Sequence, residues 1–548
     1  GKRAHNMPCF GNPKTAEVYL EDLKRYYKTG TTDVWTHPWP NVDTPWYQPE
    51  KQLIPISPPD KGVTCQCEYC MPLYDREADR HGRASRIVAT FVKRVAEGAK
   101  QRWPDKLVWY LPYSNYTIPP DDVEFPDNVV VGVCLMYGAG NAKQPNVAET
   151  HDKWIRVWHA KTGRKVHLWE YLCWPADDTA LPYQYPHVVT DFYRRNRKLV
   201  EGTFVNCGYA PQGLQGGNWA SFHPTMYVWF RVMWNPDFNS DASLEEYVEL
   251  MYGPASRPMG KLIDHLTTRW EQTRWELPLT DHHVSPKQIH EETMPAAEAG
   301  KLAVWLAEAR KLAGNDTVYR RRVDYLGGAV DIFLAESKSY HDESGVRKLP
   351  ALKVGDNPII DGKLEELAWS DATAHSFVHA TNAENPKPPV ATTIQAVWTE
   401  GGVTFGFRLE EPDMKKIRAS KTQHDQAVYA DDCIEIFLDV EGDRSAYHQI
   451  VVNANAAVFD RHSRAGAEWN AEGAKQAIYK GKDFWSLEVF VPFKAFEGID
   501  GSPKIGDRWY ANFTRSRHGR PGYLTRWSTK YQPSNLDFTA FGHIRFVE

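Results

Sequence analysis

NVVVGVCLMYG, residues 128–138, is apolar from Val129 to Met136 with no polar side chain interrupting it. A strand with one wet face alternates apolar and polar residues, whereas an unbroken run needs cover on both faces, as a strand inside a parallel sheet has. Four further runs share this texture: LIPIS (53–57), KLVWYLPYS (106–114), KVHLWEYLCW (165–174) and VEGTFVNCGY (200–209). Between the first two lies RASRIVATFVKRVAEGAKQRWPD (83–105), where Ile87, Val88, Phe91, Val92, Val95 and Ala99 recur at helical spacing and Pro104 follows as a stop. Strand–helix–strand alternation predicts right-handed crossovers and a parallel sheet. Five such strands ending in a helix stopped at Trp234-Asn235-Pro236 predict the later part of a (β/α)8-type barrel over residues 1–253. TDVWTHPWP (32–40) is a doubtful sixth strand, so the opening strands are expected to be absent or unrecognisable.

Outward from the barrel, DASLEEYVELMYG carries Ser243 and Glu246 as a capping box and Gly253 as a stop. The amphipathic runs AAEAGKLAVWLAEARKLAG (296–314) and TVYRRRVDYLGGAVDIFLAES (317–337) complete a helical subdomain expected over 254–348. Near residue 350 the texture changes. RKLPALKVGDNPIIDG reads as a linker into an all-β region, 349–548, with strands at TTIQAVWTE, GVTFGFRLE, CIEIFLDV, YHQIVVNANA, WSLEVFVPF and RWYANFTRSR. Regular strands without helices predict a β-sandwich. The fold class is therefore α/β plus all-β.

The 548 residues predict two or three domains. A net charge of −5 with interspersed signs leaves no basic footprint for nucleic acid. No apolar run reaches the roughly 18 residues that a membrane span needs. The opening GKRAHNMPCF has neither an initiator Met nor an apolar secretion segment, which fits a removed signal or a fragment boundary and a secreted, periplasmic or cell-surface protein. Core burial accounts for most of the 21 Trp, 27 Tyr and 22 Phe, while aromatic faces also stack on the C–H faces of sugars, which makes carbohydrate one expected ligand class.

Two families share these motifs. NPIIDGKLEELAWSDA (357–372), DDCIEIFLDV (431–440), YHQIVVNANA (447–456) and WSLEVFVPFKAF (485–496) resemble, in order, a family 9 carbohydrate-binding module. The resemblance implies a turn at Asp361-Gly362, a core closed by Trp369, and a sugar clamped between two tryptophans. Trp398, Trp469 and Trp527 are the candidates, with core packing as the other reading of each. Some members carry a structural calcium, for which Asp431-Asp432 is the candidate pair, with loop carboxylates that bind nothing as the other reading. In the first 345 residues, CFGNPKTAE (9–17), ISPPDKGVTCQCEYC (56–70), LPYSNYTIPP (111–120), LWEYLCWP (168–175), YVWFRVMWNPDFN (227–239) and LMYGPAS resemble a domain of unknown function linked to family 163 of the glycoside hydrolases. Members act as endo-β-N-acetylglucosaminidases on N-glycans, and the wider group resembles family 20 hexosaminidases and α-glucuronidases. Where that family often carries a glutamate after the last strand's Gly-x-x, this chain has Asn206, which either takes another polar role or marks a lost carboxylate.

Glycoside hydrolysis needs a proton donor and a second carboxyl, about 5 Å apart for retention and wider for inversion. In a barrel both belong at the C-terminal ends of strands. Asp60, past LIPIS, and Glu170, inside LWEYL, are the expected catalytic pair, against a turn cap and an ion-paired barrel residue as their structural alternatives. Tyr113, Tyr137, Tyr171, Trp174 and Asn206, with Tyr116, fall at or beyond strand ends and are the expected sugar-binding wall. A substrate N-acetyl carbonyl could itself attack the anomeric carbon. Cys65, Cys67 and Cys70, with Cys9 upstream, have the count and spacing of a structural tetrathiolate zinc site, with disulfides or free thiols as alternatives. Whichever holds, the cluster is expected to brace the loop that presents Asp60. His282-His283 with His290-Glu291 matches no standard zinc spacing and reads as a solvated loop. Three readings of the function result: a glycoside hydrolase on N-acetylglucosaminide linkages, a non-catalytic glycan-binding protein with an eroded barrel, or a hydrolase of another bond such as a uronoside. None needs a catalytic cofactor.

Overall fold

Five strands, β1 (Leu53–Ile56), β2 (Leu107–Tyr110), β3 (Val129–Cys134), β4 (Val166–Tyr171) and β5 (Val200–Asn206), pair in parallel in the order 1-2-3-4-5. They belong to a computed structural model that describes residues 8–29, 53–56, 62–135, 145–171, 180–206, 217–273, 284–315, 317–342, 346–464, 469–496, 499, 501–518, 522–531, 534 and 537–548. The longer helices are α1 (Pro13–Thr29), α2 (Ser85–Arg102), α3 (Pro145–Thr162), α4 (Pro186–Asn196), α5 (Gly217–Trp234), α6 (Ser240–Tyr252), α7 (Ser256–Gln272), α8 (Ala296–Ala313) and α9 (Val318–His341). A strand order without reversal sends right-handed crossovers to one side of the sheet. On that side Tyr110 meets Trp158 of α3 at 5.4 Å, and Tyr193 of α4 hydrogen-bonds Thr203 of β5 at 2.9 Å. The opposite face carries Trp109, His167, Trp169, Tyr171 and Phe204. Trp109 lies 5.2 Å from His167, Trp169 lies 4.3 Å from Phe204, and a Cβ on Gly132 would sit 2.2 Å from the Trp109 ring. β3, in the middle, is buried throughout, as its unbroken apolar run requires. Among the described residues the five expected strands form one parallel sheet, without the closure that a complete barrel would show. The doubtful strand at 32–40 lies outside them.

The chain divides into two units, one of residues 1–284 with 297–334, the other of 285–296 with 335–548. Most of the expected helical subdomain therefore joins the first unit. Side chains explain why: Arg322 of α9 donates to the carbonyls of Leu250 and Met251 in α6 at 3.1 and 3.3 Å, and Tyr325 stacks on His223 of α5. The α6 cap also differs from expectation. Asn239, not Ser243, is the N-cap, its side chain accepting from the Ala242 N–H, while Gly253 does end the helix with φ +50°.

In the second unit the described strands form one curled sheet whose two halves share a core. One half holds Cys433–Asp439, His448–Asn453 and Arg508–Arg517, the other Thr392–Thr399, Gly402–Glu410 and Phe484–Pro492. Phe405 and Phe407 of one half reach Phe513 of the other at 5.3 and 5.8 Å. The stretch read as a linker is a strand. Lys348–Lys353 pairs in parallel with Gly542–Val547 on one side and with Thr392–Thr399 on the other, joining the halves. Its Pro350 is tolerated because pairing to the second neighbour begins only at Ala351. The turn at Asp361-Gly362 is held by Glu488, which accepts from both backbone N–H groups at 2.9 and 2.7 Å and from the Trp369 indole at 2.9 Å.

Candidate functional site

The C-terminal edge of the parallel sheet is where loops can gather side chains without disturbing the sheet. There the loop after β1 resumes at Gly62, and Asn115, in the loop after β2, clamps it. The Asn115 Oδ1 accepts from the Val63 N–H and its Nδ2 donates to the Val63 carbonyl, both at 2.9 Å. The two loops meet again where Ala84 N–H donates to the Asn115 carbonyl and Ile118 N–H to the His81 carbonyl. Ser114, next to the clamp, has φ +52°, a conformation that costs a non-glycine residue energy and that the neighbouring contacts must enforce. A cavity of 370 Å³ opens beside this joint, lined by Thr64, Cys65, Gln66, Tyr74, Arg76 and Arg83 among others. Asn115 and the two arginines escaped sequence reasoning. A single Asn in LPYSNY gives no sign that its amide will mimic a backbone pair 52 residues away.

Only part of the sequence-derived site falls within the described residues. Asp60, Tyr137 and Trp174 lie outside the described residues, as do His282 and His283. Asn206 ends β5 opposite Tyr171, and its side chain is likewise outside the description. Tyr113 and Tyr171 are half-buried at strand ends, with the Tyr171 hydroxyl 3.8 Å from Cys134 Sγ, whereas Tyr116 is fully buried. Glu170 is completely buried, on the face it shares with Val166 and Leu168. It therefore projects toward the helices and away from the face of Trp169 and Tyr171, because successive strand residues alternate. The nearby Tyr193 hydroxyl confirms the side: burial first, then the charge of Glu170, push it well above the ordinary phenol range. Tyr193 also bonds Thr203 and takes the Trp229 indole N–H at 3.1 Å. The expected partner of Glu170, Asp60, lies outside the described residues, so the structure describes one member of the pair.

In the second unit, Trp398, Trp469 and Trp527 are 1, 8 and 0% exposed and belong to the shared core, so none offers a ring face to a sugar. Of the two readings of each, burial favours core packing over a stacking platform: inward-facing positions of a sandwich claim its largest apolar rings. Tyr429 is 51% exposed, edge-on to Phe459 at 5.6 Å. Asp431 and Asp432 are buried and point at donors. Asp431 accepts from Ser420 Oγ, Lys421 N–H and Asn453 Nδ2 at 2.8–3.0 Å, and Asp432 from the Arg418 and His518 N–H groups. Burial opposes ionisation of Asp431, but those hydrogen bonds outweigh it and hold its carboxyl below the usual range. Oxygens already facing N–H and O–H groups do not fit a calcium ion, which needs lone pairs converging on it. His290 is also corrected. It is buried in a single π-helical turn, Gln288–Thr293, stacked on Tyr340 at 4.5 Å and bonded to Glu336 at 2.9 Å.

The four cysteines do come together. Cys9, Cys65, Cys67 and Cys70 place all their Sγ atoms within 4.8 Å of one another, with Cys9 at 3.3 Å from Cys67 and 3.5 Å from Cys70. Gly11 packs against the cluster so closely that a Cβ there would sit 2.7 Å from the Tyr69 carbonyl oxygen and 2.9 Å from Cys70 Sγ.

Comparison with known proteins divides along the same line as the fold. Residues 360–545 match the carbohydrate family 9 binding domain-like family. The C-terminal domain is thus similar to the family 9 carbohydrate-binding type. Residues 1–263 match a domain of unknown function, DUF4838. Among solved structures, a Bacteroides uniformis protein assigned to carbohydrate binding aligns at 17% identity over 37% of this chain and 99% of its own, with a TM-score of 0.31. A family 9 module from Caldicellulosiruptor kristjanssonii in complex with cellotriose aligns at 15% over 37% and 94%, with a TM-score of 0.29. The same organism's module with glucose aligns at 14% over 36% and 95%, also at 0.29. Compared with curated proteins, the chain has no match. Among the described residues no helix is long and apolar enough to cross a membrane.

Proposed function

We propose that this protein is a glycan-directed protein working outside the cytoplasm, whose C-terminal domain holds an oligosaccharide or polysaccharide. The match of residues 360–545 to the family 9 binding type carries this reading. With the three sequence-derived tryptophans in the core, Tyr429 is our candidate stacking ring. The residue is 51% exposed, and the neighbouring loop is pinned by Asp431, Asp432 and Asn453, so a sugar would meet a pre-ordered surface. Titration of the full chain with cellotriose and with N-glycan fragments tests this. Binding that Tyr429→Ala weakens about tenfold supports it, on the scale of 1–2 kcal/mol for one ring contact. No binding to any glycan of a broad array overturns it.

A second reading is glycoside hydrolysis by the N-terminal unit, including the N-acetylglucosaminide linkages that the family 163 resemblance implies. It is favoured by Asp60 following β1 by four residues and by Tyr113, Tyr171 and Asn206 at neighbouring strand ends. Arg76 and Arg83 at the adjacent cavity favour an acidic sugar, a uronoside, within this reading. The helix-facing Glu170 speaks for the non-catalytic alternative. Release of aryl or glycan product by the purified chain, lost in Asp60→Asn with glycan binding kept, supports hydrolysis. Absence of turnover across aryl glycosides, N-glycans and uronosides leaves the binding function alone.

A further inference from the structure

The four-cysteine cluster belongs to neither reading, and its geometry is specific. A disulfide joins two sulfurs and gives no reason for a third and fourth to approach, yet here all four lie mutually within 4.8 Å. Tetrahedral zinc with bonds near 2.3 Å sets sulfur–sulfur edges of about 3.8 Å, so the cluster is already close to the size of a filled site. Three ligands come from one short loop, Cys65-x-Cys67-x-x-Cys70, and the fourth from Cys9, 56 positions before Cys65 and just ahead of α1. The loop is shaped for it. Cys70 and Met71 N–H both donate to the Cys67 carbonyl at 3.1 and 3.0 Å, folding Cys67 to Cys70 into a tight knuckle that turns both sulfurs the same way. Asn12 N–H donates to the Cys9 carbonyl at 3.2 Å and Thr15 Oγ1 to the same oxygen at 2.7 Å, fixing the opposite strand of the joint. Gly11 is where the two segments touch, and no larger residue fits.

We infer that Cys9, Cys65, Cys67 and Cys70 form a structural zinc site that staples the start of α1 to the loop after β1. On binding, each thiol gives its proton to solvent as its sulfur bonds the metal, and no oxidant or reductant is involved. Four protein sulfurs close the coordination sphere, so no water is activated there. The staple does local work. Cys65 and Met71 form part of the wall of the 370 Å³ cavity, so the metal fixes the cavity's shape without touching its contents. The contact between Phe10 and Phe91 of α2 at 5.1 Å, one residue beyond Cys9, holds the same segment from the other side.

Elemental analysis of the full chain, purified without chelator, tests the inference. About one zinc per chain is expected, together with replacement by cobalt(II) giving the strong visible bands of a tetrahedral tetrathiolate. Cys9→Ser and Cys67→Ser should each lose most of the metal. Because either variant may unfold, titrating the wild-type chain with a mercurial is the parallel measurement: zinc should be released as about four thiols react. Metal-free protein with four reactive thiols, disulfides among these positions on non-reducing peptide mapping, or bound iron in place of zinc would each overturn the assignment.

Discussion

At the scale of single residues, Gly362 and Glu488 show how a few atoms hold a domain's opening motif. Gly362 sits at φ +87° with the backbone N of Tyr479 only 2.5 Å from where a Cβ would stand. Backbone cannot step aside as a side chain can, so Gly362→Ala is expected to cost about 2 kcal/mol or more, read as a lower urea midpoint of the C-terminal domain. Glu488→Ala leaves the Gly362 N–H and the Trp369 indole N–H without their acceptor in a buried place, while the Asp361 N–H keeps the Ile359 carbonyl at 2.9 Å. At about 1–3 kcal/mol for a stranded donor, a loss of about 3 kcal/mol or more is expected by the same measurement. Glu170 is a third case. Its position beside Tyr193 makes Glu170→Gln a packing and electrostatic change, so altered melting with any catalytic activity kept is the expected outcome. Loss of turnover with unchanged melting would restore it to the catalytic set. The turn at DG in NPIIDGKL was legible through the family 9 resemblance, and the positive φ of Gly362 gives its physical reason. The side a buried Glu faces was not, since strand registry decides it.

At the scale of elements, α4 is capped from a distance. Glu271, the penultimate residue of α7, accepts from the His187 and Val188 N–H groups at 3.0 and 3.3 Å, placing a carboxylate at the positive end of α4. The His187 ring bridges the other Glu271 oxygen at 2.8 Å and Asp241, at the start of α6, at 3.0 Å. The hydrogen bond to Glu271 leads, and against the opposing effect of burial the two carboxylates raise the imidazole pKa to about 9. Because the folded value exceeds the ordinary 6.5, the contribution is full below pH 6.5 and is lost as pH rises toward 9. The ring is 47% exposed, so solvent screening reduces the effect to about 1 kcal/mol. Urea midpoints of the N-terminal unit should fall between pH 6 and 9.5, and His187→Gln should flatten that slope. An unchanged slope in the variant would place the pH dependence elsewhere. The helices and long strands announced themselves through periodicity, as with the Ile87 to Ala99 face of α2. Lys348–Lys353 did not, because Pro350 and its short run carry the signature of a linker, and only pairing on both sides makes it a strand.

At the scale of the whole molecule, two units with separate cores predict separable stability. The second is laced internally by a buried pair: Glu411 accepts from both Arg517 Nε and Nη2 at 2.9 and 3.0 Å, while Arg515, 1% exposed, donates to the Thr392 hydroxyl and the Glu410 carbonyl. Removing one partner of such a pair strands buried charge, so Glu411→Ala is expected to cost about 3–5 kcal/mol. The first unit is tied at its edge by the cysteine cluster and along its sheet by aromatic and apolar contacts. Calorimetry of the full chain should therefore resolve two transitions, each answering to its own perturbation. Glu411→Ala should lower one and leave the other in place. A bound glycan at about a hundred times its Kd adds about 2.7 kcal/mol to the domain that holds it, which for roughly 200 residues raises that transition by about 5–10 °C. If the glycan raises the transition that Glu411→Ala lowers, binding belongs to the C-terminal domain. If it raises the other, the sugar sits at the loops stitched by Asn115, and the Tyr429 assignment falls. A single transition moved by both would show that the two cores melt as one cooperative body, against the division of contacts within the chain.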